Sequence, residues 1–176
     1  AGMIMPNMAT MLAFITTDAA IERQTLQRLL ARANALSFNR ITVDGDTSTN
    51  DMALLLANGA SGVTLTPDDE PIFAAALDAL CQALAQLIVR DGEGATKFVT
   101  ITVEGCASEH DADAIARTIA NSPLVKTAIT GCNPNWGRIV AAAGRAGVPF
   151  DPATLDVYLN GVLTVRAGGT AGAQKD

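Results

Sequence analysis

The stretch "TMLAFITTDAAIERQTLQRLLARANAL", Thr10 to Leu36, changes its hydrophobic period part-way along, and that change points to a mixed fold. Thr10 to Thr16 is a short apolar run with β-branched and aromatic members, the composition of a buried strand opened by Thr10. Asp18 then precedes Leu26, Leu29, Leu30, Ala33 and Leu36, spaced by three and four, which predicts a helix over about 22–36 with one apolar face. Downstream, Phe38 to Val43 reads as a second strand. "DGDTSTND", Asp44 to Asp51, reads as a polar loop, and the short apolar run Met52 to Ala57 reads as a helix capped by Asn50 or Asp51.

Thr66-Pro67 with Asp69 is a helix start, because Thr accepts from an orphan N–H and Pro at the first position loses no bond. Phe73, Ala76, Leu77, Leu80, Leu84, Leu87 and Ile88 continue it as a stripe that should stop near "RDGEG", Arg90 to Gly94. Val99, Ile101 and Val103 alternate with Thr100 and Thr102, a half-buried strand pattern. Ser108-x-x-Asp111 resembles a capping box for a helix through Ala112, Ile115, Ala116 and Ile119. "LDVYLNGVLTV" places Asn160-Gly161 between two apolar runs, a hairpin signal. The sum is an α/β chain: a layered sandwich of sheets flanked by helices over 1–94, and a smaller C-terminal α/β lobe over 95–176.

A 176-residue chain with 49% hydrophobic residues buries a core as one domain or two small lobes. Its net charge of −6, with Lys and Arg scattered, argues against nucleic acid or an anionic membrane as partner. Cys81, Cys106 and Cys132 show no C-x-x-C spacing, so neither a disulfide framework nor a zinc site is suggested, which fits a reducing cytoplasm. The longest apolar window, Ile72 to Val89, is interrupted by Asp78, Gln82 and Gln86, and no secretory leader pattern opens the chain, so a soluble, cytoplasmic protein is expected.

His110 is the only histidine and sits among Asp111 and Asp113, a surface setting that gives a Ser-His-Asp triad little support, and the absence of a second histidine and of paired cysteines makes a transition-metal site improbable. "DGEGATK" lacks the spacing of a phosphate-wrapping loop. Asp44, Asp46 and Asp51 do not match a calcium loop and read better as a turn held by side-chain to backbone bonds. "GCNPNWGR", Gly131 to Arg138, suits either a polar ligand contact through its Asn and Trp or a helix start packed by Trp136. In "MIMPNMATMLAF", a Pro6-Asn7 turn leaves the carbonyl of a small Ala9 open to Thr10 Oγ, and a threonine freed by cleavage would carry its own amine as base. By residue type alone, a threonine beginning a strand after a turn is equally ordinary.

"GMIMPNMATMLAFITTDA", "FNRITVDGDTSTNDMALLLANG", "DGEGATK", "NSPLVKTAI" and "GCNPNWGRI" occur in this order over residues 2–139. Together they resemble the β-chain of the ornithine acetyltransferase family, the bifunctional glutamate N-acetyltransferases of arginine biosynthesis. The resemblance implies a self-cleaving precursor with Ala9–Thr10 as the scissile bond and Thr10 as the nucleophile. It further implies ping-pong transfer of acetyl from N-acetyl-ornithine to glutamate, with no bound cofactor and with acetyl-CoA as a donor in some members. Glu93 matches a substrate-contacting glutamate suited to an α-amino group, and Asn7 and Asn135 are weaker candidates for positioning a carbonyl or carboxylate. Asp44 and Asp46 are expected to support the site or its loop.

The family pattern also implies an upstream α-half, supplying a Thr-Gly oxyanion hole, and a C-terminal segment beyond Asp176. A segment without those donors is expected to be inactive alone, since each contributes on the order of 10²–10³ in rate. It would pair with the α-chain of its own precursor through otherwise exposed strand edges, in an α2β2 heterotetramer. Two other readings stay open: an N-terminal-nucleophile amidohydrolase or aminopeptidase using water as acceptor, and a non-catalytic lobe that only assembles.

Overall fold

β1, Leu12–Thr17, and β2, Met52–Ala57, pair in parallel, Leu12 against Met52 through Thr17 against Ala57. A parallel pair cannot be closed by a tight turn, and the crossover carries α1, Arg23–Leu36. These come from a computed structural model that describes residues 1–5 and 11–172. The chain divides into two compact units, Ala1–Phe98 and Val99–Asp176.

In the first unit, Ala13 and Ile15 of β1 and Leu55 of β2 turn inward onto Leu29 and Ala33 of α1 and onto Ala74, Leu77, Cys81 and Ala85 of α2, Glu70–Arg90. Glu22 caps α1, its carboxylate accepting from the amides of Gln24 and Thr25. Arg28 of α1 grips Glu70 of α2 through two bonds of 2.8 and 2.6 Å and holds its carboxyl below the usual range. Arg32 pairs with the buried Asp78 at 2.9 Å. Burial, then the charge of Asp78, pushes the Cys81 thiol up. α2 is long and apolar enough to cross a membrane by length and composition. Its inner side nevertheless carries that ion pair and four of the ten buried residues of the unit's core cluster.

The helices cover one face of the sheet only. On the other, Leu12 and Phe14 are 63% and 61% exposed, and Met52, Leu54 and Leu56 stand beside them. β1 is therefore buried on one side rather than throughout.

Three local expectations are corrected. Phe38 begins one turn of 3-10 helix, Phe38–Arg40, instead of a strand, because its ring drops into the core beneath α1 while Ser37 Oγ donates to the Ala33 carbonyl at 2.6 Å. Met52 to Ala57 is a strand and not a helix. Its residues favour helix intrinsically, but six of them cannot stabilise one and the pairing with β1 decides. α2 begins at Glu70, and Thr66 closes the turn before it, bonding to Asp69.

In the second unit, Ser108 caps α3, Glu109–Ala120, Ser122 caps α4, Pro123–Thr130, and Asn135 caps α5, Trp136–Gly144. Ile115, Ile119, Val125, Ala142 and Ala143 form their common core. Of the expected alternation over 99–103, Ile101 and Val103 pack on this core while Val99 is exposed, and among the described residues the segment joins no ladder. β3, Val157–Leu159, and β4, Val162–Arg166, form the hairpin expected at Asn160-Gly161, with φ of 50° and 80° at the turn, and β5, Gly169–Thr170, adds antiparallel to β4.

Gly168 is irreplaceable in this lobe. Its φ is +72°, and a Cβ there would collide with the Pro152 carbonyl oxygen. Gly168→Ala should destabilise the second unit by more than the ~1 kcal/mol that left-handed backbone alone costs, read as a lowered denaturation midpoint. An unchanged midpoint would mean that the Pro152 turn gives way freely.

Candidate functional site

Met3 and Ile4, upstream of Ala9–Thr10 in the chain, and Met11, downstream of it, are held by two aspartates of one loop. On the upstream side, the Asp44 carboxylate accepts from the amides of Met3 at 2.6 Å, Ile4 at 3.1 Å and Asp46 at 3.1 Å. The Ile4 carbonyl in turn accepts from Val43 N at 2.8 Å and from Thr42 Oγ1 at 3.3 Å, and the Ile4 side chain is buried. Downstream, Asp51 Oδ1 accepts from Met11 N at 2.9 Å, and the Met11 carbonyl accepts from Met52 N at 2.9 Å.

Short carboxylate side chains suit this work. Asp reaches backbone amides close to its own turn, and an ionised acceptor makes a stronger bond than a neutral one. Asp44 thus supports the loop as expected. Asp51, expected to cap a helix, anchors the start of β1 instead, because Met52 continues as a strand.

Glu93 joins this group from the turn after α2. Its amide donates to the Ala1 carbonyl at 2.7 Å. A Cβ added to Gly2 would lie 3.1 Å from Glu93 Oε2 and 3.8 Å from Asp44 Oδ2, so the two carboxylates flank the chain there. Gly92 fits closely, a Cβ on it coming within 3.1 Å of Val43 Cγ1, which seats the 91–94 turn against the same loop. The result is an exposed acidic rim beside the Met3–Ile4 backbone, an electrostatic setting for a cationic amino group.

Asn7, Ala9 and Thr10 lie outside the described residues. Asn135 belongs to the second unit, where its Oδ1 accepts from Arg138 N at 3.3 Å and starts α5, the helix-start reading of "GCNPNWGR". Arg138 Nη1 donates onward to the Leu124 carbonyl and Thr127 Oγ1. His110 is almost fully exposed.

A model of the ArgJ family matches residues 1–176. The chain belongs to the ArgJ family. It is similar to the arginine biosynthesis bifunctional protein ArgJ of Chlorobium chlorochromatii, 56% identical over 99% of this chain and 41% of the relative. The protein of the same name from Geobacter sulfurreducens is 52% identical over 100% of this chain and 46% of its own. The crystal structure of ArgJ from Bacillus halodurans superposes with a TM-score of 0.89 at 45% identity, covering 93% of this chain and 78% of that one. The chain therefore spans about two fifths of the length of the curated ArgJ relatives it matches, and its family is the one the five sequence segments resemble.

Asp44→Ala removes the shared acceptor of three amides. Hydrogen exchange at Met3, Ile4 and Asp46 should accelerate, on the order of tenfold for each ~1.4 kcal/mol lost, while the amides of α1 keep their protection. Unchanged exchange at Met3 and Ile4 would remove Asp44 as the anchor.

Proposed function

We propose that this chain is the nucleophile-bearing part of an acetyltransferase that moves acetyl from N-acetyl-ornithine to glutamate. The observation that supports it most is the anchoring of the chain on both sides of the segment that carries Ala9–Thr10, at Met3 and Ile4 by Asp44 and at Met11 by Asp51, with Glu93 beside Gly2. Membership of the ArgJ family supports the same chemistry.

In the precursor, Thr10 Oγ attacks the Ala9 carbonyl carbon, the peptide C–N bond breaks, and the nitrogen leaves as the threonine amine, producing an ester. Water cleaves the ester, leaving Ala9 with a carboxylate and freeing the hydroxyl beside the amine already released. In the transfer reaction the amine takes the Oγ proton as Oγ attacks the acetyl carbon of N-acetyl-ornithine. Ornithine departs with its nitrogen reprotonated, and acetyl remains on Thr10. The amine of glutamate then attacks this ester, releasing N-acetyl-glutamate and restoring the hydroxyl. Two steps through an ester spare the site from holding both amino acids at once. Glu93 receives the amino end of the substrate by a charge-assisted bond, with Asn7 assigned as a weaker polar contact. No bound cofactor takes part, and the same assay run with acetyl-CoA decides whether a thioester also serves as donor.

The bare apolar face of β1 and β2 supports an upstream α-half from the same precursor as partner, since parallel strands are normally covered on both sides. The assembly proposed is an α2β2 heterotetramer in the cytoplasm, the segment alone being inactive without its α-half.

Intact mass and N-terminal sequencing of the full-length protein should give a fragment beginning Thr10-Met11-Leu12, and acetyl should pass to glutamate rather than appear as acetate. Acetate alone would mean a hydrolase, and an uncleaved, folded protein a non-catalytic lobe. Thr10→Ala should abolish both cleavage and transfer. Glu93→Gln should leave cleavage intact and raise KM for the amino-acid substrate on the order of 10- to 100-fold, the loss of one charge-assisted bond; equal loss of cleavage would make Glu93 structural.

A further inference from the structure

The two anchoring aspartates use their oxygens differently. Asp44 engages both, Oδ2 accepting from Met3 N and Oδ1 from Ile4 N and Asp46 N. Asp51 engages one. Its Oδ1 accepts from Met11 N at 2.9 Å, and among the described residues Oδ2 accepts from no donor. An ionised carboxylate offers about four acceptor sites, so Asp51 holds the start of β1 with most of its capacity unused.

The bond to Met11 constrains more than the strand. Met11 N is bonded to the Thr10 carbonyl carbon, and standard bond lengths keep it within about 3.7 Å of the Thr10 nitrogen whatever the torsion between them. Asp51 Oδ1 therefore stands no more than about 6.6 Å from that nitrogen, a limit set by covalent bonding and one hydrogen bond. At such distances an opposite charge favours the protonated form of an amine.

The position matters because the charge of this amine changes during the acyl transfer proposed above, on which the inference rests. The amine is neutral when Thr10 Oγ attacks. Oγ passes its proton to the amine as the Oγ–C bond forms and the carbonyl pair moves to the acetyl oxygen, and the ammonium gives that proton to the departing nitrogen as its C–N bond breaks. A carboxylate nearby stabilises the ammonium and not the neutral amine, so it acts on the transition state more than on the resting site. We infer that Asp51 is a positioning residue for catalysis, its carboxylate orienting the freed Thr10 amine and supporting the charge which that amine acquires as base. A third group that orients the base is the logic of a catalytic triad.

The other charged groups on the segments that meet residues 1–5 and 11 are Asp44 and Asp46 of the loop, Asp91 and Glu93 of the turn after α2, and Arg40 of the 3-10 turn before the loop. Asp44 is committed to three amides, and Glu93 stands beside Gly2. Among the described residues, Asp51 is the one whose side chain bonds Met11.

The test is the pH dependence of kcat/KM for N-acetyl-ornithine in the full-length protein, with sites counted by the fragment that begins at Thr10. Asp51→Asn and Asp51→Ser each leave an oxygen for Met11 N and remove the charge. Because the carboxylate raises the amine's affinity for a proton, both variants should move the acid limb to lower pH, by about half a unit to one unit with Asp51 exposed. The alkaline plateau should fall by about three- to tenfold, the weaker base being the poorer catalyst. An acid limb that stays in place in both processed, active variants overturns this inference and leaves the transfer reaction standing. So does equal movement in Asp46→Asn, which would mean the field of the whole loop. Failure of both variants to cleave overturns it too, because no free amine exists at that stage and Asp51 would then serve only to hold the chain. An unchanged protein that neither cleaves nor transfers acetyl overturns the function and this inference together.

Discussion

The parallel pairing of β1 with β2 constrains everything else in the first unit. Two parallel strands need a crossover, and this crossover contains α1, the Phe38 turn and the aspartate loop in that order. Because α1 must return the chain to the same edge, Leu29 and Ala33 are brought over Ala13 and Ile15, and α2 completes the layer beside it. The ion pairs Arg28–Glu70 and Arg32–Asp78 then fix the two helices laterally. The first of these is exposed and contributes little to stability; the second pairs a buried charge through Asp78 Oδ2 and leaves Oδ1 without a hydrogen-bond partner among the described residues. The same geometry leaves the far side of the sheet uncovered, and Leu12, Phe14 and Leu56 face outward for want of a second layer.

The aspartate loop acquires its importance from the same crossover. It is the last part of the chain before β2, so its residues are delivered to the end of the sheet where β1 begins. Asp51 meets Met11 because the strands are in register there, and Asp44, seven residues earlier, reaches the Met3 and Ile4 amides. Neither carboxylate is positioned by its own helix or strand. The loop itself is shaped by short-range side-chain to backbone bonds, Asp46 N donating to Asp44 Oδ1 and Asn50 N to Ser48 Oγ.

What could be read from the sequence follows the range of the interactions involved. α1, α2 and α3 were legible because a 3.6-residue stripe is a local signal, although of the expected capping residues only Ser108 stands at its helix start, and the Asn160-Gly161 hairpin because both turn residues tolerate positive φ. Ser122-Pro123 is an equally local helix start, but α4 has eight residues, too few for periodicity to show. Met52 to Ala57 was illegible as a strand, since a six-residue run of Ala, Leu and Met carries no period and its partner is remote in the chain. Glu93 and Asp44 could be singled out by family motif and loop chemistry. The role of Asp51 could not, because its acceptor function depends on a residue 40 positions away.

That separation bears on the order of folding. α1 and α2 can begin from neighbouring residues, whereas β1 meets β2 only after some forty residues of chain have closed, an entropic cost of about 3 kcal/mol before any constant contribution. Contacts of this kind form late compared with helical ones. The anchors at Met3, Ile4 and Met11 exist only once the loop has closed, so chemistry that needs the stretch between Met5 and Met11 held in place waits for the sheet. A chain paired one residue out of register would offer Asp51 no Met11 amide to accept from. Under the self-cleavage proposed above, the covalent state of that short stretch records whether the surrounding sheet has reached its native register.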